Sequence, residues 1–179
     1  MLFRSGLFSD PEAPVLEHHD FDASALTPQV AAPHSPANAM PASEAGKTAI
    51  QVAYVGACTG AKYQDLQAAA RILKGRTLAS GVELFVAPAS RRDQDRAKED
   101  GIMAVFEAAG AKVLPNACGI CAGYGAHRLG ADVSCISSTA RNFKGRMGDP
   151  SSQVWLGSPL TVAAAAVAGH IVDPREMLS

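Results

Sequence analysis

Short apolar runs alternate with helix-like segments through most of this chain, and this alternation restricts the fold more than any other feature. Residues 49–55 form a strand pattern, and residues 64–74 place apolar side chains at i, i+3, i+4 and i+7, as an amphipathic helix does. Residues 82–87 form a second strand pattern, after which Ser90 can cap a single helix that runs to Ala109. Strands alternating with helices of this length predict a parallel sheet.

The second half of the chain continues the pattern. Further strands are predicted at residues 112–114 and 132–136, and a last helix at residues 161–168. The predicted fold class is therefore α/β, a three-layer α/β/α arrangement with a mainly parallel sheet. We expect this domain to cover residues 48–179.

The first 47 residues differ in composition from the rest. They hold six of the eleven prolines and show little hydrophobic periodicity, so residues 1–47 are predicted to be an irregular Pro-rich arm or linker. We interpret the abrupt first ten residues as a truncation or cloning remnant.

Charge and hydropathy exclude several classes of function. With 16 basic and 17 acidic residues the net charge is −1, so no nucleic acid partner is expected. The longest run of small apolar residues, 160–168, is about half as long as a membrane crossing requires, so we expect no membrane partner. No secretory signal pattern is recognised in residues 1–20, which predicts a cytoplasmic protein whose four cysteines are ligands or buried thiols rather than disulfides.

Three cysteines follow predicted strands. Cys58 comes after the first strand, and Cys118 and Cys121 form a C-x-x-C pair after the third. The carboxyl ends of parallel strands meet at one edge of a sheet, where Arg141 also follows a strand. Three thiolates are one fewer than a complete structural metal site uses, so a metal centre held by them would keep an open position.

Other interpretations of these residues remain open at this point. The C-x-x-C pair is also typical of a thioredoxin-like redox site. Alternatively, Cys135 could complete a four-cysteine zinc site, although its alternating strand is more typical of a buried thiol. Arg141 and Arg146 suit the capture of carboxylates, but arginines more commonly form surface ion pairs. The five histidines have no partner at ligand spacing and are interpreted as structural or solvated.

A series of motifs in a fixed order spans residues 24–177. Along the chain they are Gly56-Ala-Cys-Thr-Gly60, Tyr63-Gln-Asp-Leu66, Ala87-Pro-Ala-Ser90, Gly110-Ala-Lys-Val-Leu-Pro115, the Cys118/Cys121 pair, Ser138-Thr-Ala-Arg-Asn-Phe-Lys-Gly-Arg-Met-Gly148, Gly157-Ser-Pro159 and Gly169-His-Ile-Val-Asp-Pro-Arg175. Together they resemble the iron–sulfur domain of the aconitase and 3-isopropylmalate dehydratase superfamily.

The resemblance implies a function and a set of site residues. Cys58, Cys118 and Cys121 would bind a [4Fe-4S] cluster, and Arg141 and Arg146 would contact substrate or active-site groups. The reaction would be that of a hydro-lyase that dehydrates or isomerises a hydroxy di- or tricarboxylic acid, as in leucine biosynthesis. The competing hypothesis is a non-catalytic zinc- or cluster-binding module.

The resemblance also implies that the site is incomplete. No convincing general base is found in this chain, so no catalytic residue is assigned. The remaining large-subunit domains and a small subunit or swivelling domain would supply the missing groups, and we expect this chain alone to be inactive. Gly60 and Ala140 stand where relatives usually have asparagine, which predicts an altered substrate contact.

Overall fold

A seven-stranded mixed sheet runs through the computed structural model, which describes residues 9–178. The strands are β1 (Gln29–Ala31), β2 (Ala39–Pro41), β3 (Val52–Gly56), β4 (Glu83–Ala87), β5 (Lys112–Val113), β6 (Ser134–Ser137) and β7 (Gln153–Gly157). The α-helices are α1 (Tyr63–Leu73), α2 (Arg91–Glu99), α3 (Ile102–Ala109) and α4 (Pro159–Ala168). Short 3-10 helices lie at Ala23–Ala25, Ala42–Glu44, Gly119–Ala122 and Pro174–Met177.

The strand order in the sheet is β2-β1-β7-β6-β3-β4-β5. The five strands from β7 to β5 are parallel, whereas β1 pairs antiparallel with both β2 and β7. The α/β class and the mainly parallel sheet predicted from the sequence are thus confirmed. Strand β7 has no counterpart among the predicted strands.

The N-terminal segment differs from the irregular arm that was predicted for it. Residues 29–41 contribute β1 and β2 to the edge of the sheet, and Val30 is buried. Strand β1 pairs with β7, more than a hundred residues away, and β2 pairs with β1, so the pairing that joins this segment to the sheet is not visible in a local pattern. Of the first ten residues, which we interpreted as a truncation or cloning remnant, only residues 9 and 10 are among the described residues. The domain boundary at residue 48 stays a prediction.

The helix predicted from Ser90 to Ala109 is instead two helices. Ser90 caps α2 as predicted, since its hydroxyl accepts a hydrogen bond from the Asp93 N–H at 3.1 Å. Gly101 then adopts φ = 72°, a left-handed conformation that ends one helix and starts the next on a new axis. The turn lets α3 bury Phe106 against the sheet while the polar α2 stays at the surface.

Alternate strand residues face opposite sides of the sheet. Ala53 and Val55 face the four helices, which contact one another on that side. Val52 and Tyr54 face the opposite side, which Ile120, Leu129 and Met147 cover from loops and a 3-10 helix. This second layer contains no α-helix among the described residues, which is where the structure differs from the predicted α/β/α layering. None of the helices described between residues 9 and 178 has the length and apolar character that a membrane crossing requires.

Candidate metal and substrate site

The three predicted ligand cysteines lie in loops beyond the carboxyl ends of parallel strands. Cys58 follows β3, Cys118 directly precedes the 3-10 helix Gly119–Ala122 that follows β5, and Cys121 lies within that helix. Cys58 and Cys118 are exposed, Cys121 is partly exposed, and all three are free thiols. The structure therefore places them at one edge of the sheet, as predicted, with sulfurs that a ligand can reach.

A serine after β6 holds the two ends of the Cys58 loop. The Ser138 hydroxyl donates a hydrogen bond to the Gly60 carbonyl at 2.8 Å and accepts one from the Gly56 N–H at 3.1 Å. A Cβ atom at Gly60 would lie 2.0 Å from the Ser138 backbone carbonyl oxygen. Only glycine fits this approach, so Gly60 is explained by close packing of the loop onto the end of β6.

The residues that lead from the Cys58 loop into α1 are fixed by the β4–α2 connection and by the first turn of α2. The Asp93 carboxylate accepts a hydrogen bond from the Tyr63 N–H at 3.0 Å, at the start of α1. The Ala89 N–H donates to the Ala61 carbonyl at 2.9 Å. An acceptor from another helix thus satisfies an otherwise unpaired N–H group of the first turn.

The loop with the second and third cysteines is anchored by its own interior residue. Ile120, between Cys118 and Cys121, is only 2% exposed and packs in the core of the second face. The Asn116 side chain donates to the Pro88 carbonyl at 3.1 Å, which ties this loop to the end of β4. Burial of Ile120 holds the backbone while the neighbouring thiols stay at the surface.

Tyr54 lies beneath both cysteine loops. It is fully buried, and its hydroxyl has no hydrogen-bond partner among the described residues. Burial raises the pKa of the Tyr54 phenol. The hydroxyl is therefore a protonated donor, and the Tyr54 ring belongs to the core against which Cys121 packs.

An apolar cavity of about 230 Å³ adjoins this tyrosine. Its wall includes Tyr54, the backbone of Gly119 and the side chains of Ile120, Tyr124 and His127. Tyr124 is exposed at its mouth. A ligand in the cavity would therefore contact the turn between Cys118 and Cys121.

The two predicted substrate arginines lie in the loop after β6. Arg141 is exposed and Arg146 is partly buried, with a buried Nε that has no partner in the described part of the chain. Neither forms an ion pair with a residue between 9 and 178. Between them, buried Asn142 donates to the Ala32 carbonyl at 2.9 Å and so fixes the loop to the segment after β1. Two guanidinium groups thus stay available to an anion.

Cys135 has a different environment from the other cysteines. It lies in β6 and is fully buried against the second face, and this burial raises the pKa of its thiol. A neutral thiol in an apolar core is a poor metal ligand, because the thiolate is the form that binds metal. This supports the interpretation of Cys135 as a buried thiol and weighs against the four-cysteine zinc site.

The donors at this edge fit the iron–sulfur cluster that the resemblance implies. Between residues 9 and 178, no three or more His, Cys, Asp or Glu side chains are close enough to hold one metal ion. A single zinc ion requires ligands about 2.3 Å from its centre, whereas cluster thiolates bind different irons and stay further apart. Three accessible cysteine thiols are the type of donor that iron–sulfur clusters use, so the donor set at this edge fits a cluster.

Sequence reasoning missed the three residues that organise the site. Ser138 and Asn142 act through contacts with segments that are distant in the chain, and Tyr54 is an ordinary strand residue by its pattern. The available signal is the glycine spacing, because Gly56 and Gly60 mark the two places where a side chain would collide. The roles of Cys58, Cys118 and Cys121 as ligands stay a prediction.

Comparison with known proteins gives one family. The model of the aconitase family (aconitate hydratase) matches residues 42–169. Among curated relatives, 3-isopropylmalate dehydratase large subunit 2 of Archaeoglobus fulgidus is 45% identical over 170 residues, which cover 95% of this chain and 41% of the relative. The corresponding large subunit of Herpetosiphon aurantiacus is 44% identical over 157 residues, covering 88% of this chain and 37% of the relative.

A third relative gives the same extent of similarity. Large subunit 1 of Methanopyrus kandleri is 42% identical over 169 residues, covering 94% of this chain and 40% of the relative. The chain thus spans about two fifths of the length of the curated relatives that it matches.

Proposed function

Because this chain belongs to the aconitase family, we propose that it is the cluster-binding portion of a hydro-lyase similar to 3-isopropylmalate dehydratase. The observation that carries the proposal is the position of Cys58, Cys118 and Cys121 around one edge of the sheet, beside the loop of Arg141. The carboxyl edge of parallel strands is where open α/β sheets bind ligands. Three thiols and two unpaired guanidinium groups supply both a metal site and an anion site there.

The chemistry divides between the cluster and the side chains around it. When bound, an iron–sulfur cluster with one iron free of protein ligands supplies a Lewis acid that polarises a hydroxyl or carboxylate oxygen. Arg141 and Arg146 bind a substrate carboxylate and orient the molecule for loss of water. Ser138 holds the Cys58 loop and Ile120 anchors the C-x-x-C turn, so that both cysteine loops stay in place beside this anion site.

The substrate is a hydroxy di- or tricarboxylic acid, and the names of the relatives favour 3-isopropylmalate and a role in leucine biosynthesis. No residue of this chain is assigned to removal of the carbon-bound proton. That group comes from the remaining large-subunit domains or from a small subunit, which are the proposed partners. A cytoplasmic location is part of the same proposal.

Cluster binding is tested by anaerobic reconstitution of the purified chain with iron and sulfide. We expect about four irons and four sulfides per chain, the number that defines a [4Fe-4S] cluster, and loss of most of this uptake in Cys58→Ser, Cys118→Ser or Cys121→Ser. Cys135→Ser is the matched control and should keep full uptake. Stoichiometric zinc without sulfide, or a requirement for Cys135, would contradict the proposal.

Substrate binding is tested on the reconstituted chain by electron paramagnetic resonance of the reduced cluster. Addition of 3-isopropylmalate or citrate should change the spectrum, because a hydroxy acid would reach the open iron. Arg141→Ala should weaken this response by about tenfold or more, as expected for loss of a charge-assisted pair. Lys144→Ala removes an exposed charge from the same loop and should leave the response intact.

Incompleteness is tested by turnover. The reconstituted chain alone should dehydrate no hydroxy acid, and activity should require added large-subunit domains and a small subunit. Robust dehydration by the chain alone would show that the proton-transfer group lies within it.

A further inference from the structure

Tyr54 is a buried polar residue that the proposed function does not use. It lies in the middle of β3, paired with Phe85 on β4 and Ser137 on β6, and it is fully buried. Its ring packs in the same core as Ile120 and the partly buried Cys121. The ring is therefore part of the buried core against which the C-x-x-C turn packs.

The shape of the backbone directs the Tyr54 hydroxyl towards the cysteine loops. A Cβ atom at Gly56 would lie 2.4 to 2.6 Å from the ζ carbon, one ε carbon and the hydroxyl oxygen of Tyr54. The ring thus occupies the space that a side chain at Gly56 would fill. Since Gly56 is the last residue of β3, the hydroxyl is carried to the carboxyl end of the strand, where the Cys58 loop begins.

The hydroxyl reaches this position without a partner. It is buried and makes no hydrogen bond to any residue between 9 and 178. A buried donor without an acceptor is unfavourable, and such groups are rare in folded proteins. The Cys121 side chain packs against the core that contains the Tyr54 ring, and the hydroxyl lies beside Gly56, two residues before Cys58.

We propose that Tyr54 donates a hydrogen bond to a sulfur of the metal centre held by Cys58, Cys118 and Cys121, and thereby sets the reduction potential of that centre. This inference rests on the proposed function, since it requires the centre to be present. Tyr54 is a positioning residue in this scheme and does not touch the substrate. The close approach of the Tyr54 ring to the Gly56 backbone fixes the direction of the hydroxyl. Because the ring is buried, water does not take the place of the acceptor.

A hydrogen bond to a cluster sulfur stabilises the reduced form, which carries more negative charge. Hydrogen bonds to the sulfurs are one of the factors that set the reduction potential of an iron–sulfur cluster. Loss of the donor should therefore shift the potential to more negative values. A stronger donor should shift it to more positive values.

The first experiment compares the wild-type chain with Tyr54→Phe after anaerobic reconstitution with iron and sulfide. Iron and sulfide content should be equal in the two proteins, while voltammetry should give a more negative potential for Tyr54→Phe. Resonance Raman spectra should show Fe–S bands that shift in D₂O for the wild type and shift less for the variant. Equal potentials and equal deuterium shifts would overturn the proposal.

Tyr63→Phe is the matched control, because it removes the same hydroxyl group from a tyrosine whose hydroxyl does have a hydrogen-bond partner in the protein. The Tyr63 hydroxyl donates to Asp100 at 2.7 Å on the helical side of the sheet. Without metal, Tyr63→Phe should lower the melting temperature, whereas Tyr54→Phe should not, because its hydroxyl is unpaired. With the cluster bound, Tyr63→Phe should keep the wild-type potential. A lower melting temperature for metal-free Tyr54→Phe would mean that the hydroxyl has a protein partner, against the proposal.

A second perturbation keeps the ring and strengthens the donor. In a chain with Tyr63→Phe and Tyr124→Phe, 3-fluorotyrosine enters at position 54 alone and carries a more acidic phenol. The potential should then shift to more positive values, opposite to Tyr54→Phe. Shifts of the same sign for both changes would overturn the proposal. If the wild-type chain takes up no iron and sulfide, the proposed function fails; if it does and the potentials do not respond, only the role of Tyr54 fails.

Discussion

Replacement of Gly60 by alanine tests whether close packing between the Cys58 loop and β6 holds this site together. The added Cβ atom would lie 2.0 Å from the Ser138 carbonyl oxygen and 2.6 Å from its hydroxyl oxygen. The first contact is with backbone, so no rotation of a side chain can relieve it. The loop must move away from Ser138, and the hydrogen bond to the Gly60 carbonyl is then lost.

The expected loss of stability is the sum of two terms. Forcing an extra carbon into a packed site costs about 1–3 kcal/mol, and loss of one hydrogen bond costs about 1 kcal/mol. The free energy of unfolding should therefore fall by about 2–4 kcal/mol. At about 2–4 °C per kcal/mol for a chain of 179 residues, the melting temperature should fall by at least about 4 °C.

Differential scanning calorimetry and urea denaturation of the purified chain measure this change. Gly130→Ala is the matched control, because its nearest neighbour is the Val133 side chain at 4.0 Å, and stability should stay within about 0.5 kcal/mol of the wild type. Adding Ser138→Ala to Gly60→Ala should not restore stability, since the backbone oxygen remains. Wild-type stability of Gly60→Ala, or its rescue by Ser138→Ala, would refute the packing argument.

Three further changes test the packing and capping of the fold by urea denaturation. Phe106→Ala should lower the free energy of unfolding by about 3–5 kcal/mol, because it empties a fully buried site beneath the sheet, and a loss below about 1 kcal/mol would contradict that burial. Asp93→Ala should lower it by about 1 kcal/mol, since it removes the acceptor of the Tyr63 N–H, and an unchanged value would mean that water replaces the carboxylate. Asp173 accepts a hydrogen bond from the Arg175 N–H, and hydrogen bonding to the Arg175 side chain lowers the pKa of the Asp173 carboxyl. The stabilisation that Asp173 gives is therefore fully present above the unfolded pKa of about 3.9 and is lost as the pH falls through the lower folded pKa. Asp173→Ala should therefore cost about 1 kcal/mol at pH 7 and progressively less below about pH 4, and a difference that is constant with pH would contradict this assignment.

Local patterns in the sequence were sufficient for the elements in the middle of the chain. The periodicity of residues 64–74 predicted α1 to within one residue at each end, because a helix forms from contacts three and four residues apart. The order of strands and helices also placed Cys58 and the C-x-x-C pair on one edge of the sheet, since parallel strands point the same way. The break at Gly101 was missed because the residues of α2 and of α3 both have helical patterns. The two helices take different directions only because α3 buries Phe106 whereas α2 stays at the surface.

What the sequence determined by itself was the class of fold, the cysteine edge and the resemblance to a family. The tertiary structure alone decided that residues 29–41 join the sheet, that Ser138 clamps the Cys58 loop, and that Tyr54 directs an unpaired hydroxyl beneath the thiols. This division follows from the distance along the chain over which each contact acts. Periodicity and caps depend on neighbours within about four residues, whereas these features depend on backbone pairing and steric fit between segments far apart in the chain. Such contacts leave no repeating pattern and become visible only when the segments are brought together.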